Sequence, residues 1–381
     1  MVMKTMIEPF FITGTLRSGT TLLDKVLYAH PQATTLSQPA SALYLFCKKY
    51  FLENLGVPVS YMVLSHYFQE KNYTPADFYY FLQTFAISEK LLAQINTENA
   101  RLSANNPFFS KIAPLHLDSD NSFIACYRRI ISENSNKKDA IASGCKEVLA
   151  EEYLPYFLDN GIKCLLIIRD PRDTLASSYY GSARTYTGSP KPLLLLLRNW
   201  RKSVAFALEL SAHKSLLVLR YEDLVLQTVP TLDKITKFLG LPQLPQEYIA
   251  QLQKQDGGNW SGNSSFGARD GISSKSIGSF RKQLTPDLQH YIESTCFPEM
   301  KTFSYQTDLS CPDLDLISSF EEPFTDAPQG TENQLSKNSK ESEIERLRLL
   351  NQNTADLQRQ KEFFIFEQVY SRLRQESLIC H

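Results

Sequence analysis

The seven cysteines of this chain are odd in number, widely scattered and without a C-x-x-C pair. Neither a cysteine-based zinc site nor a disulfide framework is indicated, and reduced thiols in a cytoplasmic chain are the expectation. The N-terminus has no long apolar run of the secretory kind, since Met1 to Ile7 leads straight into strand-like sequence. No apolar stretch approaches the length of a membrane span, and Leu193 to Leu197 is among the longest. An excess of charge of one sign is missing too: 40 Lys and Arg stand against 41 Asp and Glu, a net charge of −1. A protein that coats nucleic acid or an anionic membrane is thereby disfavoured, and any anion site must be local. What is present is an ordinary globular composition, 43% hydrophobic and 21% charged, over 381 residues. That length accommodates two to three domains at about 150 residues each. The 23 Phe and 19 Tyr suit deep apolar pockets, and equally a large core.

Along the chain, Pro9 to Thr13 reads as a short buried strand closed by Gly14, and Thr20 onward as a helix with Leu22, Leu23, Val26 and Leu27 on one face, stopped at His30-Pro31. Residues 41–95 look helical and rich in Tyr and Phe. Residues 147–158 resemble a helix. The run Cys164-Leu-Leu-Ile-Ile168 has no polar alternation, as in a parallel strand covered on both faces. A helix is expected from Pro171 to about Tyr180, a mobile loop over Gly181 to Pro192, and a helix over 193–210. A strand over 215–219 and a helix over 230–239 follow. Strands alternating with helices indicate an α/β fold, a three-layer P-loop-like domain around a mainly parallel sheet, over residues 1–306. Residues 307–340 are rich in Ser, Asp, Glu, Pro and Asn and read as a disordered linker. Residues 341–381 read as a helical tail, amphipathic over 341–375, that docks or self-associates weakly.

The chemistry concentrates in two segments. Gly14-Thr-Leu-Arg17-Ser18-Gly19-Thr20-Thr21 follows a strand and opens a helix, the setting in which backbone N–H groups and a helix N-terminus cradle an anion. The spacing is that of a phosphate loop, but Thr20 stands where a nucleotide triphosphatase has Lys. Arg17 supplies a cation inside the loop instead. The second segment is Ile167-Ile168-Arg169-Asp170-Pro171-Arg172-Asp173, with Ser177 eight residues beyond Arg169. An Arg at a strand end and a Ser in the following helix can converge on one phosphate at the carboxyl edge of an open α/β sheet. The first polar residue after that strand is Arg169 rather than a metal-binding Asp, so no Mg²⁺ site is expected. A P-loop kinase is disfavoured on both counts, and a non-catalytic nucleotide-binding module is the other alternative.

Together the two segments resemble the sulfotransferase superfamily, which uses 3′-phosphoadenosine 5′-phosphosulfate (PAPS) and releases PAP. Arg17-Ser-Gly-Thr-Thr21 resembles its 5′-phosphosulfate loop, and Arg169 to Ser177 its 3′-phosphate motif. The likeness is closer to the bacterial and tyrosylprotein-type branch, through Arg17 to Leu22 and Ala29-His-Pro31. Further matches are Arg220-Tyr-Glu-Asp-Leu224, Asn263-Ser-Ser-Phe266 and Ile277-Gly-Ser-Phe-Arg281, so the resemblance spreads over residues 10–305. It implies donor binding by Arg17, Ser18, Gly19, Thr20, Thr21, Arg169 and Ser177, by Tyr221 near the adenine, and by Ser264, Ser265 and Arg281. It implies that Lys146 stabilises charge at the bridging oxygen, with Arg17 beside it, and that no metal takes part.

The family's Glu shortly after A-H-P is absent, because the aligned stretch is Leu36-Ser37-Gln38-Pro39. His116 and Glu147 are the candidates for general base, and Ser265 joins them in the catalytic set. The sulfuryl acceptor implied is a hydroxyl, phenol or amine of a small molecule, glycan, lipid or peptide. Its identity would be set by the aromatic segment over 41–136 and the loop over 181–192.

Overall fold

The computed structural model describes residues 7–57, 63–65, 73–180, 191–245, 247–248, 272–324, 337–352 and 356–377. Five strands form one all-parallel sheet in the order β2-β3-β1-β4-β5. They are β1 (Glu8–Thr13), β2 (Ala33–Ser37), β3 (Ala142–Lys146), β4 (Lys163–Ile168) and β5 (Leu216–Arg220). Residues alternate between the faces of the sheet. Phe10, Ile12, Leu165 and Ile167 pack on one side, while Phe11, Leu166 and Ile168 pack on the other.

Helix α1 (Thr20–Ala29) packs on the first of these faces. The opposite face is covered by α2 (Ser41–Asn54), with α3 (Pro75–Thr84), α4 (Glu89–Asn105), α5 (Phe123–Asn134) and α6 (Leu154–Asp159) contributing to the same core. Helices α7 (Pro171–Tyr179) and α8 (Leu193–Glu209) also lie on that side, and α9 (Tyr221–Leu226) and α10 (Thr228–Leu239) return to the α1 side. Helices on both faces make the three-layer α/β domain that the alternating pattern implies.

The strands with strong apolar runs sit where the sequence places them. β2 (ATTLS) and β3 (ASGCK) do not announce themselves, because Thr, Ser and Gly replace the apolar run. All ten of their residues are nonetheless buried. Gly144 shows why small residues are required: a Cβ there would lie 2.2 Å from the carbonyl oxygen of Phe10 on the neighbouring strand. The helix expected over 147–158 is shorter, beginning as a 3₁₀ turn at Glu151–Tyr153 and becoming α6 at Leu154.

The C-terminal region departs most from the sequence reading. Helices α11 (Phe280–Gln283) and α12 (Pro286–Thr302) lead into α13 (Leu314–Ser319), then α14 (Lys337–Asn351), α15 (Leu357–Phe363) and α16 (Glu367–Ser377). The described part of the expected linker is therefore structured. Ile317 is fully buried, Phe320 stacks on Tyr291 at 4.1 Å, and Phe324 stacks on Tyr179 at 3.5 Å. A few well-placed apolar side chains anchor a segment whose average composition is polar. The tail helices pack on the same core through Leu347, Leu350, Val369 and Leu373. Glu343 of α14 bridges Arg198 and Arg201 of α8. Truncation after residue 306 removes that carboxylate and leaves two buried guanidinium groups without it, a loss of about 3–5 kcal/mol for a broken buried pair. The truncated protein is expected to lose several degrees or more of Tm and much of its near-UV circular dichroism. An unchanged Tm would restore the boundary near residue 306.

Candidate active site

All five strands run parallel, so their carboxyl ends lie along one edge of the sheet. The residues that follow them are Gly14, Gln38, Glu147, Arg169 and Tyr221. β1 is central, with β3 on one side and β4 on the other. The phosphate loop after β1 is thus flanked by Lys146 and Arg169, at the position in an open α/β sheet where ligands bind.

The loop depends on two glycines. A Cβ at Gly14 would meet the Ile167 carbonyl oxygen at 2.5 Å, and one at Gly19, whose φ is 103°, would meet the Tyr221 ring at 2.3 Å. Between them Arg17 takes a left-handed φ of 66°. Ser18 closes the turn, its hydroxyl donating to the Thr15 carbonyl at 2.8 Å. Gly19 is the N-cap of α1, and no side chain caps that end. The first-turn N–H groups at Thr20 and Thr21 therefore remain available to an anion.

The structure brings the two cationic segments together. Arg17 Nε donates to Ser177 Oγ at 2.9 Å, and Arg169 Nη1 donates to the Arg17 carbonyl at 3.1 Å. Burial, and then the charge of Arg169, push the Arg17 guanidinium down to about 10, with Tyr221 opposing. Arg169 also lies over the Tyr221 ring at 4.5 Å, while its Nη2 donates to the Ser276 carbonyl at 2.8 Å. Its Nε is buried without a hydrogen-bond partner, as is Thr15 Oγ1. Tyr221 in turn shares a 2.7 Å hydrogen bond with Ser276 Oγ. The segment around Arg281 is drawn in by Asp173, which accepts from Gly278 N–H at 2.8 Å and Phe280 N–H at 3.0 Å. Arg281 itself is more than half exposed and pairs with Asp308 at 3.4 Å.

On the other side of the loop, Lys146 is buried and donates to Gln38 Oε1 at 2.9 Å. Burial pushes its ammonium down to about 8, against the pull of Asp24 and Glu147. Ser41 Oγ donates to Glu147 Oε2 at 2.7 Å, whereas Oε1 is buried without a hydrogen-bond partner. Burial pushes that carboxyl up to about 7, with Ser41 and Lys146 opposing. Asp24, fully buried on α1, has neither oxygen hydrogen-bonded and sits 3.4 Å from Lys25 Nζ. Gln38, Ser41, Asp24 and Ser276 were not legible as site residues, because each enters through a turn or helix face that only the folded chain aligns. His116 is placed elsewhere: its side chain is 59% exposed, with Nε2 3.5 Å from Glu133. His30 accepts the Gln32 N–H and bonds the Pro242 carbonyl, a structural role at the end of α1. Ser264, Ser265 and the 181–190 part of the expected loop lie outside the described residues.

Among the described residues no group of three or more His, Cys, Asp or Glu side chains is placed to hold a metal ion, and no helix is long and apolar enough to cross a membrane. Asp170, the carboxylate nearest the end of β4 in sequence, is taken by Arg172, which donates to both of its oxygens at 3.1 and 2.7 Å.

The 3-alpha-hydroxysteroid sulfotransferase of Cavia porcellus is 32% identical over 102 residues, which are 24% of this chain and 36% of that enzyme. The sulfotransferase domain from the curacin biosynthetic pathway is 17% identical, with a TM-score of 0.45 over 79% of this chain and 99% of that one. A mouse sulfotransferase complexed with PAP is 14% identical, with a TM-score of 0.42 over 78% and 85% of the two chains. The family model for the sulfotransferase domain matches residues 8–304, and the chain belongs to that family.

Proposed function

We propose that this protein moves the sulfuryl group of PAPS to a hydroxyl, phenol or amine acceptor by in-line displacement, without a metal. The observation that carries the reading is the meeting of Arg17 and Arg169 at one sheet edge, where Arg169 donates to the Arg17 main-chain carbonyl and Arg17 donates to Ser177. The charge of Arg169 acts on the neighbouring Arg17, and a ligand with separate anionic groups relieves that repulsion. PAPS has two such groups, a 5′-phosphosulfate and a 3′-phosphate. In this reading the loop from Arg17 to Thr21, with the uncapped start of α1, takes the first. Arg169, Ser177 and the Arg281 segment take the second, and Tyr221 lies by the adenine. A planar guanidinium fork suits phosphate oxygens better than a point charge. The orphaned Arg169 Nε and Thr15 Oγ1 are donors that such a ligand would satisfy.

Charge collects on the leaving phosphate oxygen as the sulfur–oxygen bond breaks. Lys146 and Arg17, already oriented and already desolvated, stabilise it there. Glu147 serves as general base: Ser41 holds one carboxylate oxygen, and the other is left to accept the proton of the attacking group. It replaces the carboxylate missing after β2, where Gln38 now orients Lys146. The acceptor is a small molecule, glycan, lipid or peptide that reaches Glu147 from the α2 side.

Arg17→Ala and Arg169→Ala are each expected to weaken PAP binding by about 1.5–3 kcal/mol, the worth of charge-assisted hydrogen bonds. Wild-type calorimetric affinity in both variants would sink the donor assignment. The pH profile tests the base. Glu147 has to be deprotonated and Lys146 protonated, so kcat/KM should rise through about pH 7 and fall above about pH 8. Because the folded state holds the Glu147 proton more tightly than the unfolded chain does, the stability this group contributes is complete below the ordinary carboxylate range. It is lost as pH rises through about 7. Glu147→Gln should flatten the acid limb, remove that pH-dependent stability and lower kcat by about 10²–10⁴. An acid limb that survives in Glu147→Gln would transfer the role to another group.

A further inference from the structure

The family match ends at residue 304, yet the chain continues into helices that pack on the core. Helix α14 places Glu343, Arg346, Leu347 and Leu350 at spacings that share one helix face, and all four are buried. Opposite Glu343, helix α8 presents Arg198 and Arg201. Arg198 Nε donates to one carboxylate oxygen at 2.9 Å, and Arg201 Nη1 donates to the other at 2.5 Å. Burial alone would push the Glu343 carboxyl up, and the Arg201 and Arg198 charges overcome it and hold the group at about 2. Between the two arginines on α8 lies Trp200, 1% exposed, whose indole N–H donates to the main-chain carbonyl of Arg169 at 2.8 Å. The carboxylate that bridges two turns of α8 is therefore linked to the backbone that carries Arg169 through the arginine side chains, α8 itself and the Trp200 indole.

A second anchor acts on the same helices. The Leu193 N–H at the start of α8 donates to Glu322 at 2.9 Å, and Phe324 stacks on Tyr179, two residues beyond Ser177 on α7. We propose that the segment after residue 304 is a positioning element of the donor site, in which Glu343 fixes α8 and, through Trp200, the placement of Arg169. This rests on the reading of Arg169 as a donor ligand. Arg346 of the same helix hydrogen-bonds Glu299 of α12 rather than α8, and its charge acts on Glu343 less than those of Arg201 and Arg198, so it contributes chiefly to tail docking. That difference separates positioning from stability.

The test uses the full chain, PAP as the probe, isothermal calorimetry well below each variant's Tm, and near-UV circular dichroism to confirm folding. Glu343→Gln and Trp200→Phe are each expected to weaken PAP binding about five- to tenfold, the lower range for coupled sites. Their double variant should bind no worse than the weaker single one, since both act through one path. Arg346→Met should lower Tm and leave PAP affinity within twofold of wild type. If Glu343→Gln does not fold, Arg198→Met carries the same test with the Arg201–Glu343 pair retained. The proposal is overturned by wild-type affinity in Glu343→Gln, by additive losses in the double variant, or by an equal loss in Arg346→Met. A wild-type protein that binds no PAP overturns the donor reading and this inference together, whereas PAP bound equally by wild type and Glu343→Gln overturns the inference alone.

Discussion

The Arg169 guanidinium is held on the main-chain carbonyl of Arg17 at the carboxyl edge of the sheet, close enough for its charge to act on the Arg17 guanidinium, and much of the molecule serves that contact. Arg17 and Arg169 come from loops after neighbouring strands, and each is largely out of water. Like charges in a desolvated setting separate unless the backbone forbids it. Here the backbone does forbid it. Arg17 is locked at a left-handed φ between Gly14 and Gly19, which lack the Cβ atoms that would strike Ile167 and Tyr221. Arg169 is held by the Trp200 indole at its carbonyl and by the Arg17 and Ser276 carbonyls at its guanidinium. The positive potential is thus built into elements that the backbone and its hydrogen bonds hold in place.

The acidic residues around this centre are placed so as not to cancel it. Asp170 is occupied by Arg172, and Arg172 also reaches Glu293 at 2.5 Å. Asp173 spends its oxygens on the backbone of residues 278–280. Glu222 accepts from the Asp170 N–H at 3.0 Å and from the Tyr305 hydroxyl at 3.1 Å. Across β1, by contrast, Lys146 and Glu147 stay side by side, with Gln38 hydrogen-bonded to the amine and Ser41 to the carboxylate. Burial moves their proton affinities toward one another, down for the amine and up for the acid. In both, burial is the largest cause, since it disfavours the charged form of either group.

Ion pairs buried elsewhere have a different character. Lys48 and Lys202 both bond Glu152 within the α2–α8 layer, and Glu343 bridges two arginines between α8 and α14. Such pairs contribute little net stability over an apolar core of the same shape, but leaving one partner alone is costly. They therefore specify which helices pack and in what register. α8 takes part in both sets, and through Trp200 it also bonds the main-chain carbonyl of Arg169.

The residues themselves determined the three-layer α/β class and the position of the phosphate loop. An apolar run such as Cys164 to Ile168 has only one way to be buried, and a glycine-bounded loop before a helix is a local property of the chain. They also determined that the loop carries Arg17, with Thr20 rather than a lysine after Gly19, and that Arg169 follows a buried strand. Strands β2 and β3 were not legible, because their small and polar residues are buried by neighbours distant in sequence rather than by an apolar run of their own. For the same reason Gln38 and Ser41 could not be assigned to Lys146 and Glu147, more than 100 residues away. The composition of residues 307–340 averaged out the buried Ile317 and the half-buried Phe320 and Phe324, which stack on Tyr291 of α12 and Tyr179 of α7. Local chemistry is written in neighbouring residues, whereas burial and pairing across the sheet are properties of contacts that exist only once the chain has folded.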